Sequence, residues 1–541
     1  MPNTYYPEPE TEKCWWRDGV IYQIYPRSFA DSNGDGVGDL RGIISKLDYI
    51  AGLGVSAIWL SPINPSPDYD FGYDVSNYLD VDPKYGTLDD YKELLRQAHS
   101  RNLRVILDLV LNHTSSEHPW FQASKQSRDN KFGDYYLWRD GANGKKPNNW
   151  LSIFDQATGW EYVKDRDQYY FHMFVRQQPD LNWRNPKVYE EMMNVFRFWS
   201  DLGTDGFRLD VFNVYFKDET FRSNPFRFGN YMPFNWQDHI YDCDRPEMLT
   251  AVRDIRKILD AYPQRYVVGE TFLSSPEKLQ RYAGEDKLHA IFDFAFLFAP
   301  HRPEAFRKII RQIEAESGDK IWPTYVSNNH DTQRSASRYG LGESDDRLKV
   351  HAALVILLRG TPFLYYGEEI GQRETNVPRS KLMDPVGKRF WPINKGRDGC
   401  RAPMQWNNQH CAGFTSGEPW NAVHPDYETR NVSAQLHDPR SLYTFYKQLI
   451  ALRRQFHVLQ VGSIELVDEK NENVLAFKRS LNGKSVLVLL NFSQLPATCV
   501  VPGITAKTGF VQKFSNKEIA AFSEKGELVL NGDQALVLIQ K

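Results

Sequence analysis

The stretch Arg104-Val-Ile-Leu-Asp-Leu-Val-Leu-Asn-His113 decides the fold. It is a short apolar block with one acid inside it, closed by an amide and an imidazole. A block of this length without polar–apolar alternation reads as a strand buried on both faces, as in parallel sheets. Before it, Leu88 to His99 places apolar residues three and four apart, the spacing of one helix face. The same pairing recurs through the first four-fifths of the chain. Strands are expected at Val20–Tyr25, Ala57–Ser61, Arg104–Leu109, Gly206–Leu209, Tyr266–Gly269, Ala290–Phe294, Thr324–Ser327 and Pro362–Tyr366, with further helices at Leu40–Leu53 and Val188–Leu202. Strand–helix alternation means βαβ units, and eight strands argue for an α/β (β/α)8 barrel over an open sheet.

Two stretches break the alternation. Residues 112–178 follow the third strand, carry turn signals at Asp129-Asn130, Gly141–Gly144 and Pro147–Asn149, and read as a domain inserted in a βα loop. A second irregular stretch, Gly371 to Pro425, follows the eighth strand and is expected to overhang the same face. From Val461 onward the pattern turns to short alternating strands, Val474–Arg479, Ser485–Asn491, Leu528–Leu530 and Gln534–Ile539, an antiparallel β-sandwich domain. The expected organisation is a barrel of residues 1–111 and 179–460, an inserted domain of 112–178 and a C-terminal β domain of 461–541.

Composition narrows the function classes. With 66 Lys+Arg against 69 Asp+Glu in 541 residues, there is no basic surplus to attract nucleic acid or an anionic membrane. Five scattered cysteines suit a reducing compartment, Met1 to Glu12 has no apolar signal-peptide core, and no run is long enough to span a bilayer. The expectation is a cytoplasmic protein, monomer or homodimer. Aromatic residues make up 14% of the chain, which suits a site that stacks on flat apolar faces such as sugar rings.

In a barrel of this kind reactive groups sit at the C-terminal ends of the strands. Strand three carries Asp108 and ends at His113, strand four ends in Arg208-Leu-Asp210, strand five in Glu270, and strand seven in His330-Asp331. A single Asp at a strand end is ordinarily the N-cap of the next helix. Four acidic strand ends of eight, two of them beside a His, exceed what capping explains and point to a functional constellation.

These residues resemble glycoside hydrolase family 13, the α-amylase family. Its four signature regions are matched in order by Asp108–His113, Gly206–Asp210, Gly269-Glu270-Thr271 and Asn329-His330-Asp331, and a fifth by Gln178-Pro-Asp-Leu-Asn182. The fifth resembles the branch of oligo-1,6-glucosidases and α-glucosidases. The resemblance implies a retaining, exo-acting α-glucosidase on short α-glucosides of the maltose or isomaltose type, with no organic cofactor. Asp210 would be the nucleophile and Glu270 the acid/base, and Asp331 would hold the 2- and 3-hydroxyls. Arg208 should keep Asp210 ionised, and the other acids should help Glu270 hold a proton. His113 and His330 would donate to ring hydroxyls, Tyr73 would stack on the sugar, and Asp70 with Arg397 would close the pocket on the non-reducing end. Phe154 and Phe174 are candidate walls. Val211, following the nucleophile, leans toward α-1,6 linkages. Transglycosylating or isomerising relatives of the sucrose or trehalose type are alternatives, as is a non-catalytic binding subunit.

The run Asp31-Ser-Asn-Gly-Asp-Gly-Val-Gly-Asp39 alternates oxygen-bearing side chains with glycine, a pattern that can wrap a hard cation or simply form a solvated turn. By resemblance it is a structural Ca2+ or Mg2+ loop, with ligands Asp31, Asn33, Asp35, Asp39 and the carbonyl of Val37.

Overall fold

The computed structural model describes residues 14–540 apart from 142–144, 272–280, 293, 318–320, 343, 502–508 and 519–525. The polar leader Met1 to Glu12 and part of the Gly141–Gly144 turn lie outside the described residues. Eight parallel strands form one sheet: β1 Ile21–Ile24, β2 Ala57–Leu60, β3 Arg104–Leu109, β4 Gly206–Leu209, β5 Tyr266–Gly269, β6 Ala290–Ile291, β7 Thr324–Val326 and β8 Thr361–Tyr365. Their order is β7-β8-β1-β2-β3-β4-β5-β6. The two ends meet through a parallel bridge between Phe292 and Thr324, so the sheet closes into the expected barrel. The strands are buried along almost their whole length, which is why they read as unbroken apolar blocks.

Helices cover the barrel where the apolar spacing places them, at Leu88–Ser100 and Pro186–Asp201. The first opens with a reciprocal cap between Thr87 and Asp90. Leu40–Leu53 is not one helix but two, Leu40–Ser45 and Leu47–Leu53, broken at Lys46, whose ammonium lies 4.5 Å from the centroid of the Trp406 ring. That cation–π contact fits the departure from regular helical geometry there.

The insertion after β3 forms a three-stranded antiparallel sheet from Trp138–Arg139, Gln168–Phe171 and Trp160–Val163. Its core of Trp150, Trp160, Phe171 and Phe174 is continuous with Val211 and Val214 beyond β4, which fixes the insertion over the C-terminal mouth of the barrel.

The C-terminal region has a five-stranded antiparallel sheet and a two-stranded one. Strands Val474–Leu481, Lys484–Asn491 and Ala535–Gln540 bury both faces by period-two alternation. Leu475, Phe477, Val486 and Val488 face the main core, while Val474, Ala476, Leu487 and Leu489 face Cys499, Leu528 and Leu530 of the smaller sheet. Three strands not expected from sequence, Ser463–Val467, Ala497–Val500 and Phe510–Ser515, are at least partly exposed and lack a continuous apolar signal. Buried Arg479 of this region, beside buried Arg453 of the preceding helix Leu442–Gln455, ties it to the barrel. Arg453 and Arg479 donate to the carbonyls of Ile356, Leu358 and Leu357 at 2.8, 3.1 and 2.8 Å, satisfying the orphan C-terminal carbonyls of the helix Asp345–Leu357.

Candidate active site

Arg208 on β4 is the centre of the constellation. It is 1% exposed, and its Nη1 donates to Asp108 Oδ1 on β3 and to Asp210 Oδ1, both at 2.7 Å. Its Nη2 donates to Glu270 Oε2 just past β5. One guanidinium thus grips three carboxylates from three adjacent strands, and Asp210 and Glu270 lie on its two terminal nitrogens. The adjacency of β3, β4 and β5 in the sheet makes this possible. Asp108 is the member sequence reasoning did not rank. It is fully buried and accepts from Trp59 Nε1 at 3.3 Å and from the Tyr73 hydroxyl at 3.1 Å.

Burial pushes Asp210 up from the ordinary carboxylate value, and the charges of Glu270, Asp108 and Asp331 add to it, against the pull of Arg208. Asp108 is also raised, by burial first, despite Arg208. The expectation that Arg208 alone would hold Asp210 low therefore fails. One cation offsets the buried carboxylates only in part, which is why Asp108 and Asp210 are both pushed up.

The backbone at this point is strained. Val211 has φ +36°, a left-handed conformation that a β-branched residue rarely adopts. The turn is locked to the next strand by Phe212 N donating to Glu270 O at 3.1 Å. The Phe212 ring lies where a side chain at Gly269 would begin, 2.4 Å from an ideal Cβ, so glycine is required there.

The second cluster surrounds Arg397, from the stretch after β8. Its Nη2 donates to Asp70 at 2.6 Å and to Asp384 at 2.7 Å, its Nε to Asp384 at 2.9 Å, and its Nη1 to Asp331 at 3.3 Å. Asp70 and Arg397 are thus joined, and their side chains are only 5% and 11% exposed, so this is no surface pair. Asp384 was missed; its position before Pro385 reads as a helix N-cap, and it serves as one while also fixing Arg397. Arg401 adds a contact to Asp331 at 2.9 Å. Burial disfavours charge on Asp331, but the positive charge His330 carries when protonated, its ring N–H, and the guanidiniums of Arg401 and Arg397 outweigh it and hold the carboxyl well below the usual range.

Tyr73 joins the two clusters, its hydroxyl reaching Asp108 and, at 2.6 Å, His330 Nε2. His113 is brought to the site, yet its Nε2 faces the Tyr73 carbonyl at 2.9 Å and its Nδ1 the amide of Asn112 at 3.2 Å. The Gln178 amide nitrogen also lies 3.0 Å from Nε2, so both ring nitrogens face protein groups and His113 packs beneath Tyr73. Burial lowers its basicity. Gln178 ties the group together, donating to the Tyr73 carbonyl at 3.0 Å and to Asp70 at 3.2 Å. Phe174 packs on His113 with centroids 5.1 Å apart, Phe154 on Phe174 at 5.5 Å, and Arg397 lies 4.9 Å from the Phe154 ring centroid. Both aromatic walls expected from sequence therefore border the cluster.

The 31–39 loop is closed by its own hydrogen bonds. Asp31 accepts from the backbone of Asn33, Gly34 and Gly36 at 2.8–2.9 Å and from the Thr415 hydroxyl. Asp39 caps the helix Leu40–Ser45 through Gly42 N at 2.7 Å and accepts from Ser32. Asn33 and Asp35 stand exposed at the tip. Gly34 and Gly36 take φ +82° and +91°, which the tight winding requires.

Among known proteins, residues 23–462 match the family model for the α-amylase catalytic domain and 464–532 that for the maltogenic amylase C-terminal domain. A protein of Rhizobium meliloti (strain 1021) named probable alpha-glucosidase is 43% identical over 512 residues, 91% of this chain and 92% of that one. An oligo-1,6-glucosidase of Parageobacillus thermoglucosidasius is 38% identical over 520 residues, 89% and 91% of the two chains. Among solved structures, the alpha-glucosyl transfer enzyme XgtA superposes with a TM-score of 0.93 at 40% identity, covering 98% of this chain and all of that one (100%). The trehalulose synthase MutB from Pseudomonas mesoacidophila MX-45 superposes with 0.89 at 32% identity, over 98% and 100%.

Proposed function

We propose, from the premise that this chain belongs to the α-amylase family and is a glycoside hydrolase, that it releases glucose from the non-reducing end of short α-glucosides with retention of configuration. The observation that carries this reading is the single guanidinium holding both Asp210 and Glu270, linked through Asp108, Tyr73, His330 and Asp331 to the buried Asp70–Arg397 pair. Retention requires two carboxyls about 5–5.5 Å apart, close enough for one to attack the anomeric carbon while the other protonates the leaving oxygen. In the first displacement Asp210 forms the bond to the anomeric carbon. Glu270 gives its proton to the glycosidic oxygen, and the aglycone leaves. In the second, Glu270 takes a proton from water, whose oxygen displaces Asp210.

Exo action follows from the second cluster. A guanidinium and a carboxylate already fixed by Asp384 can grip the terminal hydroxyls bidentately and leave no room for another sugar. The test is product analysis over maltose, isomaltose, sucrose, trehalose and maltotriose, with the anomer of the first glucose read by NMR. α-Glucose, and near-complete loss of turnover in Asp210→Asn and Glu270→Gln, are expected; β-glucose as first product refutes the reading. A second reading, transfer of glucose to a sugar or alcohol in place of water, is favoured by the likeness to a glucosyl transfer enzyme and a trehalulose synthase. Transfer products exceeding free glucose in the same panel would select it.

The 31–39 loop offers only oxygen donors, the set a hard cation takes. Asp31, Asn33, Asp35, Asp39 and the Val37 carbonyl would hold Ca2+ or Mg2+ there, a structural ion that stiffens the segment between β1 and the helix Leu40–Ser45. The hydrogen bonds that already close the loop mean that the ion adds to an ordered turn.

A further inference from the structure

Gln23 is a polar residue in the middle of β1, 1% exposed, and no step described above uses it. Its amide nitrogen lies 2.9 Å from His330 Nδ1 and 3.4 Å from Ser61 Oγ. The His330 ring stands nearly parallel to Tyr25 and Tyr73, with centroids 5.8 and 5.2 Å away, so its polar outlets are the two ring nitrogens. Nε2 faces the Tyr73 hydroxyl at 2.6 Å and Asp331 at 2.9 Å.

An anion at that distance favours a second proton on the ring. The other charged groups nearby act less directly. Asp108 reaches the ring through the Tyr73 hydroxyl, Arg208 lies over the Tyr73 and Trp59 rings, and Arg397 is beyond Asp331. Arg401 and Cys400 bond the His330 carbonyl, not its side chain. A second proton would have to sit on Nδ1, where the Gln23 amide N–H already points. Two donors would then face each other in a dry interior, which disfavours the imidazolium.

We propose that Gln23 is a positioning residue of the active site, whose amide N–H keeps His330 as the neutral, Nε2-protonated imidazole beside Asp331. The consequence rests on the glucosidase reading. The transition state carries positive charge on the sugar, and an imidazolium at this place would oppose it and neutralise Asp331, whereas a neutral ring leaves the Asp331 charge available.

The test has two arms. In the full-length protein grown with isotope-labelled histidine, His330 is assigned by its absence from His330→Asn, and its ring nitrogens are followed by NMR against pH. One protonated and one bare nitrogen across the active range is expected. A doubly protonated ring overturns the proposal whatever the substrate proves to be, so this arm stands apart from the function above. In the second arm, kcat/KM is measured against pH for Gln23→Leu and Gln23→Glu. Both should move the acid limb to higher pH, Gln23→Glu further because its carboxylate accepts from Nδ1. Each unit of movement appears as about a tenfold loss on that limb. A uniform loss with the limb in place means a merely structural role and overturns the proposal. Should Gln23→Leu fail to fold, the wild-type spectrum and Gln23→Glu still decide.

Discussion

Asp70→Asn separates recognition from rigidity in the Arg397 cluster. Asp70 gives Arg397 a single contact at 2.6 Å, whereas Asp384 gives its side chain two, at 2.7 and 2.9 Å, and accepts from its backbone N at 3.0 Å. Removing the Asp70 charge therefore leaves Arg397 in place, and the cost falls on the bound sugar. A hydrogen bond to a charged group contributes about 1.5–3 kcal/mol, and each 1.4 kcal/mol is roughly a factor of ten, so kcat/KM on a disaccharide should fall about 10- to 150-fold. Thermal stability should hardly change. Asp384→Asn breaks a fully buried pair, at a cost of about 3–5 kcal/mol, and should lower Tm as well as activity. The assay is kcat/KM on maltose and isomaltose for both variants, beside an oligosaccharide whose terminal glucose is blocked at O4 and O6. If wild type cleaves the blocked substrate as fast as the free one, or Asp70→Asn leaves kcat/KM unchanged, the closed-end argument is wrong.

Three further outcomes follow from the site. Asp210, raised in the folded state, contributes stability when protonated and loses it as pH rises through that value; Asp210→Asn should therefore raise Tm at neutral pH, with the gap from wild type closing as pH falls. A Tm gap that does not narrow under acid would contradict that shift. Val211→Thr exchanges a methyl for a hydroxyl at the residue after Asp210 and, if that residue borders the leaving sugar, should change the maltose-to-isomaltose ratio of kcat/KM by the equivalent of about 1–3 kcal/mol; an unmoved ratio removes Val211 from linkage selection. Chelator should lower Tm, and added Ca2+ or Mg2+ restore it, if the 31–39 loop holds a cation; identical melting curves with and without chelator argue against one.

The barrel was legible because its strands are buried on both faces and cannot hide as amphipathic segments. The acids at their ends were legible for the same reason: an Asp or Glu closing an apolar block has few structural excuses. Pairing across the pocket was not. Asp70 and Arg397 are 327 positions apart, and only the family resemblance joins them in the sequence, with nothing in local spacing to select them. Asp384 was hidden by its second role as an N-cap. Gln23 did carry a signal, a lone amide within a buried apolar strand, but a polar residue there is ordinarily just satisfied locally. The edge strands of the C-terminal sheets were lost because partial exposure dilutes the apolar pattern that marked their neighbours.

The charges at the mouth of the barrel sort into two clusters of different balance, and the difference assigns their work. Around Arg208 stand Asp108, Asp210 and Glu270, three carboxylates on one cation, with Asp108 and Asp210 both pushed up by burial. Around Arg397 and Arg401 stand Asp70, Asp331 and Asp384, three carboxylates on two cations, with Asp331 and Asp384 both held below the usual range. An under-compensated cluster favours the protonated form and suits proton transfer; a compensated one favours fixed charge and suits recognition. Substitutions in the first should therefore move pH profiles and kcat, those at Asp70 and Arg397 should act on KM and on chain-length selection, and those at Asp331, which faces both clusters, should lower kcat as well. Tyr73 and His330 lie on the border, which is why the protonation of one buried imidazole reaches both.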